Sequence, residues 1–306
     1  MHRPIRLLAS AVIGALLALG APAALVTAGP AGAATAATPR FVARTGYWLG
    51  ARDGETFAFG DAQFYGSMGG KHLNAPVVGI ASTPDGNGYW LVASDGGVFT
   101  FGDAGYFGSA ATGHLNAPVV GITPTTDGNG YWLVAADGGV FSYGDAVFHG
   151  SEVDPAPTAP IVSIAATPAG AGYWLVGADG TVYPFGDVAS GGSAKNITAP
   201  AVSVVSSPDG TGYWVAGSDG NVYPLGLAPS HGSVVGTTLA APVVGMSADS
   251  SNGGYWLAAA DGGVFAIDAP FLGSMGGMPL AQPVSGITAF YASGCGAVVR
   301  HQASAC

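Results

Sequence analysis

The run GYWLVASDGGVFTFGDAGYFGS, residues 88–109, alternates strand-forming residues with glycine and Asp-Gly breaks. Tyr89 to Ser94 reads as a strand rich in β-branched and aromatic residues. Asp95-Gly96 is a strong hairpin signal, and a two-residue type I′ turn with positive φ at both positions is expected there. Val98 to Phe101 forms the returning strand. Gly102-Asp103-Ala104 turns again, and Tyr106 to Ser109 is expected to add a short further strand. Upstream, VVGIAS (77–82) is a strand, joined to Tyr89 by the turn TPDGNG (83–88). The unit is therefore four antiparallel strands in about 42 residues.

That unit recurs. The six tryptophans, at 48, 90, 132, 174, 214 and 256, are spaced by 42, 42, 42, 40 and 42 residues, and each follows Gly-Tyr. Each is followed by an Asp-Gly pair, beginning at Asp53, Asp95, Asp137, Asp179, Asp219 and Asp261. A period of this length marks a supersecondary unit that stacks on copies of itself. Four strands per unit is the size of a propeller blade. The glycines exclude a helical solenoid, and a β-helix uses shorter coils. In any such strand Tyr89 and Trp90 face opposite sides, so a unit covered on both sides has apolar bulk for each neighbour. Gly79, Gly121 and Gly245 are expected to let the innermost strands crowd around an axis.

The expected fold class is all-β, a β-propeller of six four-stranded blades. The first Gly-Tyr-Trp has no Pro-Val-Val run before it, and the run that begins at Pro283 has no Gly-Tyr-Trp after it. These defects complement each other, so the C-terminal strand is expected to enter the first blade and close the ring. Seven blades is the alternative, because residues 295–301 and 41–44 could supply parts of another.

The phrases GYWLVASDGGVFTFGDA and LNAPVVGI resemble the repeat of secreted β-propeller proteins of actinobacteria, which occurs alone or appended to cell-wall or polysaccharide hydrolases. The resemblance covers nearly all of the chain after its leader. It implies the fold and an exported setting, and it carries no catalytic residues. The unit also resembles kelch and WD-type blades in size, without their signature pairs.

Residues 1–34 read as a secretory signal: Arg3 and Arg6, then the apolar LLASAVIGALLALG, then small residues with Ala31-Gly32-Ala33 at the cleavage zone. A lead-in follows at 35–45, the propeller at 46–291 and a tail at 292–306. No second stretch is long enough to span a membrane. Loss of Arg3 and Arg6 leaves six basic residues against 18 acidic ones, a net charge of −12. That balance disfavours nucleic acid and anionic membrane surfaces as partners. Cys295 and Cys306 are placed to pair in an oxidising compartment, clipping the tail.

Sites are expected where the repeats disagree, since loops carry binding on a rigid scaffold. The connecting segments offer Lys71, His72, Asn74, His114 and Asn116 as ligand-binding candidates, with Tyr65 and Tyr106 just upstream as stacking surfaces. The first two complete units would set these groups side by side. Glu152 and Asp154 form an alternative acidic site. No catalytic residue, metal site or cofactor is expected. The reading is an exported, monomeric binding or scaffold module, secreted or cell-wall associated, for an extracellular glycan, a cell-wall component or a protein. The alternative is a polysaccharide hydrolase or lyase with acidic residues at the channel mouth. The non-repeated acids Glu55, Glu152 and Asp154 fall on different units, which favours binding.

Overall fold

The computed structural model describes residues 43–292 except 235, 237 and 252. The leader, most of the lead-in, and the tail with Cys295 and Cys306 lie outside the described residues. Among the described residues every regular element is a strand. The first unit holds β1 (Arg44–Ala51) and β2 (Thr56–Gly60). The second holds β3 (Val77–Ser82), β4 (Gly88–Ala93) and β5 (Val98–Gly102). The third holds β6 (Val119–Pro124), β7 (Gly130–Ala135) and β8 (Val140–Gly144). The fourth holds β9 (Ile161–Ala166), β10 (Gly172–Gly177) and β11 (Val182–Gly186). The fifth holds β12 (Ala201–Ser206), β13 (Gly212–Gly217) and β14 (Val222–Gly226). The sixth holds β15 (Val243–Ala248), β16 (Tyr255–Ala259) and β17 (Val264–Ile267), and β18 (Val284–Ala292) follows.

These strands make six three-stranded antiparallel sheets in a repeated arrangement. β18 is the third member of the first sheet, in the order β18-β1-β2. Its register sets Thr288 opposite Trp48 and Ile287 opposite Leu49.

A fourth strand per sheet was expected, and none forms among the described residues. The reason lies in the next unit. The Tyr131 hydroxyl donates to the Gly108 carbonyl at 2.5 Å and accepts from the Phe107 N–H at 3.2 Å. The Trp90 indole N–H holds the Gly105 carbonyl at 2.7 Å. With those main-chain groups taken by side chains, residues 105–108 have little left for a ladder. Tyr47, Tyr89, Tyr173, Tyr213 and Tyr255 grip the preceding unit's outer segment in the same way, through Gly273, Gly66, Gly150, Gly192 and Gly232.

The hairpins also differ from expectation. Gly96 N–H bonds to Ala93 O at 2.9 Å and Ala93 N–H to Gly97 O at 2.8 Å, which is a three-residue loop. Gly96 has φ +82°, whereas Asp95 is not in the left-handed region. Asp95 instead accepts the Gly97 N–H through Oδ1 at 3.0 Å. The aspartate caps the turn and the glycine alone supplies the positive φ, as in a G1-bulge hairpin rather than a type I′ turn.

The six tryptophans and the six tyrosines of Gly-Tyr-Trp are the largest fully buried side chains. Each Trp meets the Tyr of the following unit, from Trp48 against Tyr89 at 5.4 Å to Trp214 against Tyr255 at 5.5 Å, and Trp256 meets Tyr47 at 5.4 Å. The opposite-face expectation for Tyr and Trp therefore holds: Trp90 packs with Tyr131, while Tyr89 packs with Trp48. Trp132 is 1% exposed, sits among Ile161, Ile164 and Tyr173, and donates to the Val147 carbonyl at 2.8 Å. Trp132→Ala is expected to cost about 3–5 kcal/mol, through the cavity and the orphaned carbonyl. Because Tyr173 belongs to the next sheet, both sheets should lose hydrogen-exchange protection. An unchanged urea midpoint would contradict this.

A main-chain stitch joins neighbouring sheets. Ser94 N–H bonds to Pro76 O on its own first strand, and Ser94 O accepts Val119 N–H from the next, both at 2.9 Å. Ala136, Ala178, Ser218, Ala260 and Arg52 repeat it. The Arg52 stitch runs from Pro283 to Val77, and the Ala260 stitch from Pro242 to Val284. The strands thus joined are β3, β6, β9, β12, β15 and β18, and each touches the next. Glycine permits close approach between some of these strands: a Cβ at Gly245 would lie 3.4 Å from the Gly286 Cα. Ser163 stands at the equivalent place and uses its hydroxyl instead, accepting Val204 N–H at 3.2 Å.

Candidate ligand-binding site

β3, β6, β9, β12, β15 and β18 together line a channel, a cavity of about 280 Å³. Its wall is made of valines, isoleucines, glycines and alanines with small hydroxyl residues such as Ser163, Ser203 and Thr123. No carboxylate is among these lining residues. Glu55, Glu152 and Asp154 lie elsewhere, so the acids of the hydrolase alternative do not converge on the channel.

The Asp-Gly turns and the connecting segments share one end of the molecule. Met68 N–H bonds to Gly54 O at 2.9 Å, Ala110 N–H to Gly96 O at 3.0 Å and Glu152 N–H to Gly138 O at 3.1 Å. Lys71, His72 and Asn74 are exposed there and line an open cleft of about 490 Å³ with Arg52, Asp53 and Gln282. Asn116 lines a different cleft, of about 400 Å³, with Asp137, Val153 and Thr158. His114 is exposed and lines neither. Glu152 is half-buried and Asp154 exposed.

Arg52 escaped the sequence reading. The signal was present: aligned on the Asp-Gly pairs, its place is held by Ser94, Ala136, Ala178, Ser218 and Ala260 in the other units. One long cation replaces a small residue at one of the six stitch positions.

The opposite end carries the other turns. The Thr125 hydroxyl lies 2.9 Å from Asp127 and 3.1 Å from Asp145. Hydrogen bonds from the Asn129 side chain and N–H, and from Thr125, hold the Asp127 carboxyl down at about 2. In the preceding unit burial and the neighbouring Asp85 charge push Asp103 up. Asp85 itself feels burial as a raising effect, yet hydrogen bonds from Thr83 and Asn87 bring it below the usual carboxylate range. These contacts close turns, and among the described residues no three His, Cys, Asp or Glu side chains gather as a metal site.

The outer segments present a third surface. Phe64, Tyr106, Phe148 and Phe271 are 60%, 62%, 57% and 62% exposed. Each lies three residues after an exposed carboxylate: Asp61, Asp103, Asp145 and Asp268. Ser190 and Ser230 replace the aromatic in the fourth and fifth units, where Asp187 and Leu227 precede them. Those two units fold without it, so the aromatic is not required by the sheet. Of the two tyrosines expected to stack on ligand, only Tyr106 is exposed. Tyr65 is half-buried against Trp48 and Tyr89, and its hydroxyl donates to the Gly86 carbonyl at 3.3 Å. Its neighbour Phe64 takes the outward place.

No helix among the described residues is long and apolar enough to cross a membrane. No protein-family model matches the chain, and no curated protein matches it. Solved structures do. A chain of the crystal structure of a nidogen/laminin complex matches with a TM-score of 0.56 at 10% identity, over 80% of this chain and 98% of that one. In all, 1053 solved chains match, so the architecture serves many roles and names none by itself. The chain is similar to these structures in its β-propeller repeat fold.

Proposed function

We propose that this chain is an exported, six-bladed β-propeller, closed by its C-terminal strand, that acts as a binding module for an extracellular polysaccharide. Closure is supported by β18, which pairs with β1 and touches both β3 and β15. Export is supported by the leader-like N-terminus and by the resemblance to secreted actinobacterial repeats. The carrying observation for function is the Asp-x-x-aromatic pair, repeated in the sixth, first, second and third units, which are consecutive around the proposed ring.

An exposed ring three residues from an exposed carboxylate has the chemistry of a sugar platform. The ring covers the apolar C–H face of a pyranose, and the carboxylate accepts from its hydroxyls. The pairs stand on separate units, whereas a protein interface gathers its aromatics into one dry core. Four spaced sites suit a repeating polymer, which gains avidity by engaging several at once. The acidic charge selects neutral chains over anionic ones. The matched nidogen/laminin structure is a complex between proteins, and a protein partner is the outcome against which the test is set.

The test is retention of the leaderless chain on insoluble cellulose, chitin and isolated cell walls. The parent is expected to be retained on at least one. The quadruple variant Phe64→Ser, Tyr106→Ser, Phe148→Ser and Phe271→Ser is expected to be released while melting like the parent, because Ser190 and Ser230 already occupy that place. Release of the parent from all three matrices, or equal retention of the variant, overturns the polysaccharide reading.

A further inference from the structure

The turn-bearing end of the channel holds a second, chemically different feature. Its mouth is a cavity of about 460 Å³, walled by Val78, Val120, Val162, Val244, Pro242 and Pro283, with Arg52 at its rim. Arg52 also lines the adjoining cleft with Lys71, His72 and Asn74. Arg52 is therefore common to an apolar bowl and a polar cleft.

The charge of this corner runs against the rest of the molecule. The described residues include four lysines and arginines, Arg44, Arg52, Lys71 and Lys195, and two of them meet here. The only ion pair among the described residues joins His231 to Asp268, at the other end. Neither Arg52 nor Lys71 has a side-chain hydrogen bond or ion pair to a described residue. Asp53 lines the same cleft, but one of its oxygens is held by the Glu55 N–H at 3.1 Å. The Arg52 main chain is fixed by its stitch to Pro283 and Val77, both bonds 2.9 Å. The exposed side chain thus starts from a rigid point that borders both the bowl and the cleft.

We infer that this corner is a binding site for an amphiphilic anion: a single carboxylate or phosphate head held by Arg52 and Lys71, with an apolar tail seated on the valine ring of the channel mouth. The planar fork of arginine matches either head group through paired hydrogen bonds, and lysine adds a point charge. The tail removes apolar surface from water that no protein segment covers among the described residues. The other five stitch positions carry only Ser or Ala, so the ring offers one such site.

The site lies on a different surface from the aromatic pairs and stands without the polysaccharide reading. The probes are octanoate, octyl phosphate and octan-1-ol, titrated calorimetrically into the leaderless chain. Octanoate or octyl phosphate is expected to bind, and whichever binds more tightly identifies the head group. Octanol should bind at least about tenfold more weakly, as a charged hydrogen bond is lost. Affinity should fall as sodium chloride is raised. Arg52→Ser should weaken the anion about tenfold or more and leave octanol unchanged. That variant is expected to melt like the parent, because Ser94 and Ser218 make the same stitch. Lys71→Ala should weaken the anion by a smaller factor. Equal binding of anion and alcohol, or an Arg52→Ser variant that binds octanoate and octyl phosphate like the parent, overturns the site. Retention on polysaccharide should be unaffected by Arg52→Ser, so the two proposals fail separately.

Discussion

Deletion of residues 283–306 should abolish the cooperative fold. β18 pairs with β1 along its whole length, from Arg44 opposite Ala292 to Ala51 opposite Val284. Its side chains serve two cores: Val284 and Ile287 pack with Tyr47 and Trp256, and Phe290 packs with Trp48 and Tyr89. Removing it strips one edge of the eight-residue β1, which keeps only β2 as partner, and uncovers apolar surface on both neighbouring sheets. An unpaired edge of that length is a template for intermolecular pairing. The truncated chain is expected to lose its sharp thermal transition and to elute as aggregates or as strand-exchanged oligomers. The measurement is size-exclusion chromatography with light scattering, beside a circular-dichroism melt. A monomer with the parent's melting temperature would refute the structural role of β18.

Alkaline pH should unfold the protein over a narrow range. Each tyrosine of Gly-Tyr-Trp donates its hydroxyl proton to a glycine carbonyl of the preceding unit, and its ring is buried. Burial raises all six above the usual tyrosine value of 10.0, and burial with the nearby Asp268 charge pushes Tyr255 up to about 12. Above pH 10 the unfolded chain releases these protons while the native chain keeps them. Stability is therefore intact below about pH 10 and falls as pH rises through the raised values, of which that of Tyr255 is about 12. Each tyrosine contributes at most about 1.4 kcal/mol for each pH unit by which its own value is raised. The hydroxyls lie nearer the surface than the rings, so screening lowers the figure. Six groups acting together still give a steep fall. The check is a urea titration at successive pH values with tyrosinate absorbance followed in parallel. Tyrosinate should form together with unfolding. Ionisation of all six in a chain that keeps its native circular dichroism would contradict the buried bonds.

Much of this was legible in the chain itself. The 42-residue period located the units, since a segment that cannot bury its own faces must repeat a pattern that buries its neighbours'. The strands expected at 77–82, 89–94 and 98–101 from local composition and breaks form at 77–82, 88–93 and 98–102. The opposed faces of Tyr and Trp followed from the two-residue pleat. The matching of the C-terminal run to the first unit was also readable, as two defects that cancel. Those features depend on neighbours in sequence or on the repeat itself.

The rest was decided by contacts between units. The outer segment is no strand because a tyrosine from the next sheet takes its main-chain groups, and no property of residues 105–108 announces that. Without a ladder there is no pleat to set direction, so Phe64 and not Tyr65 faces outward. The Asp-Gly hairpins were recognised from composition. Their turn type depended on where the carboxylate found a donor. Lys71 and Asn74 were separated from His114 and Asn116 by which cleft each segment borders. Arg52 meets Lys71 and the valines of distant strands only because its main chain is stitched between β18 and β3. Repetition makes the scaffold readable from one dimension. The sites arise where repetition breaks, and which breaks meet is set by how the sheets stand against one another.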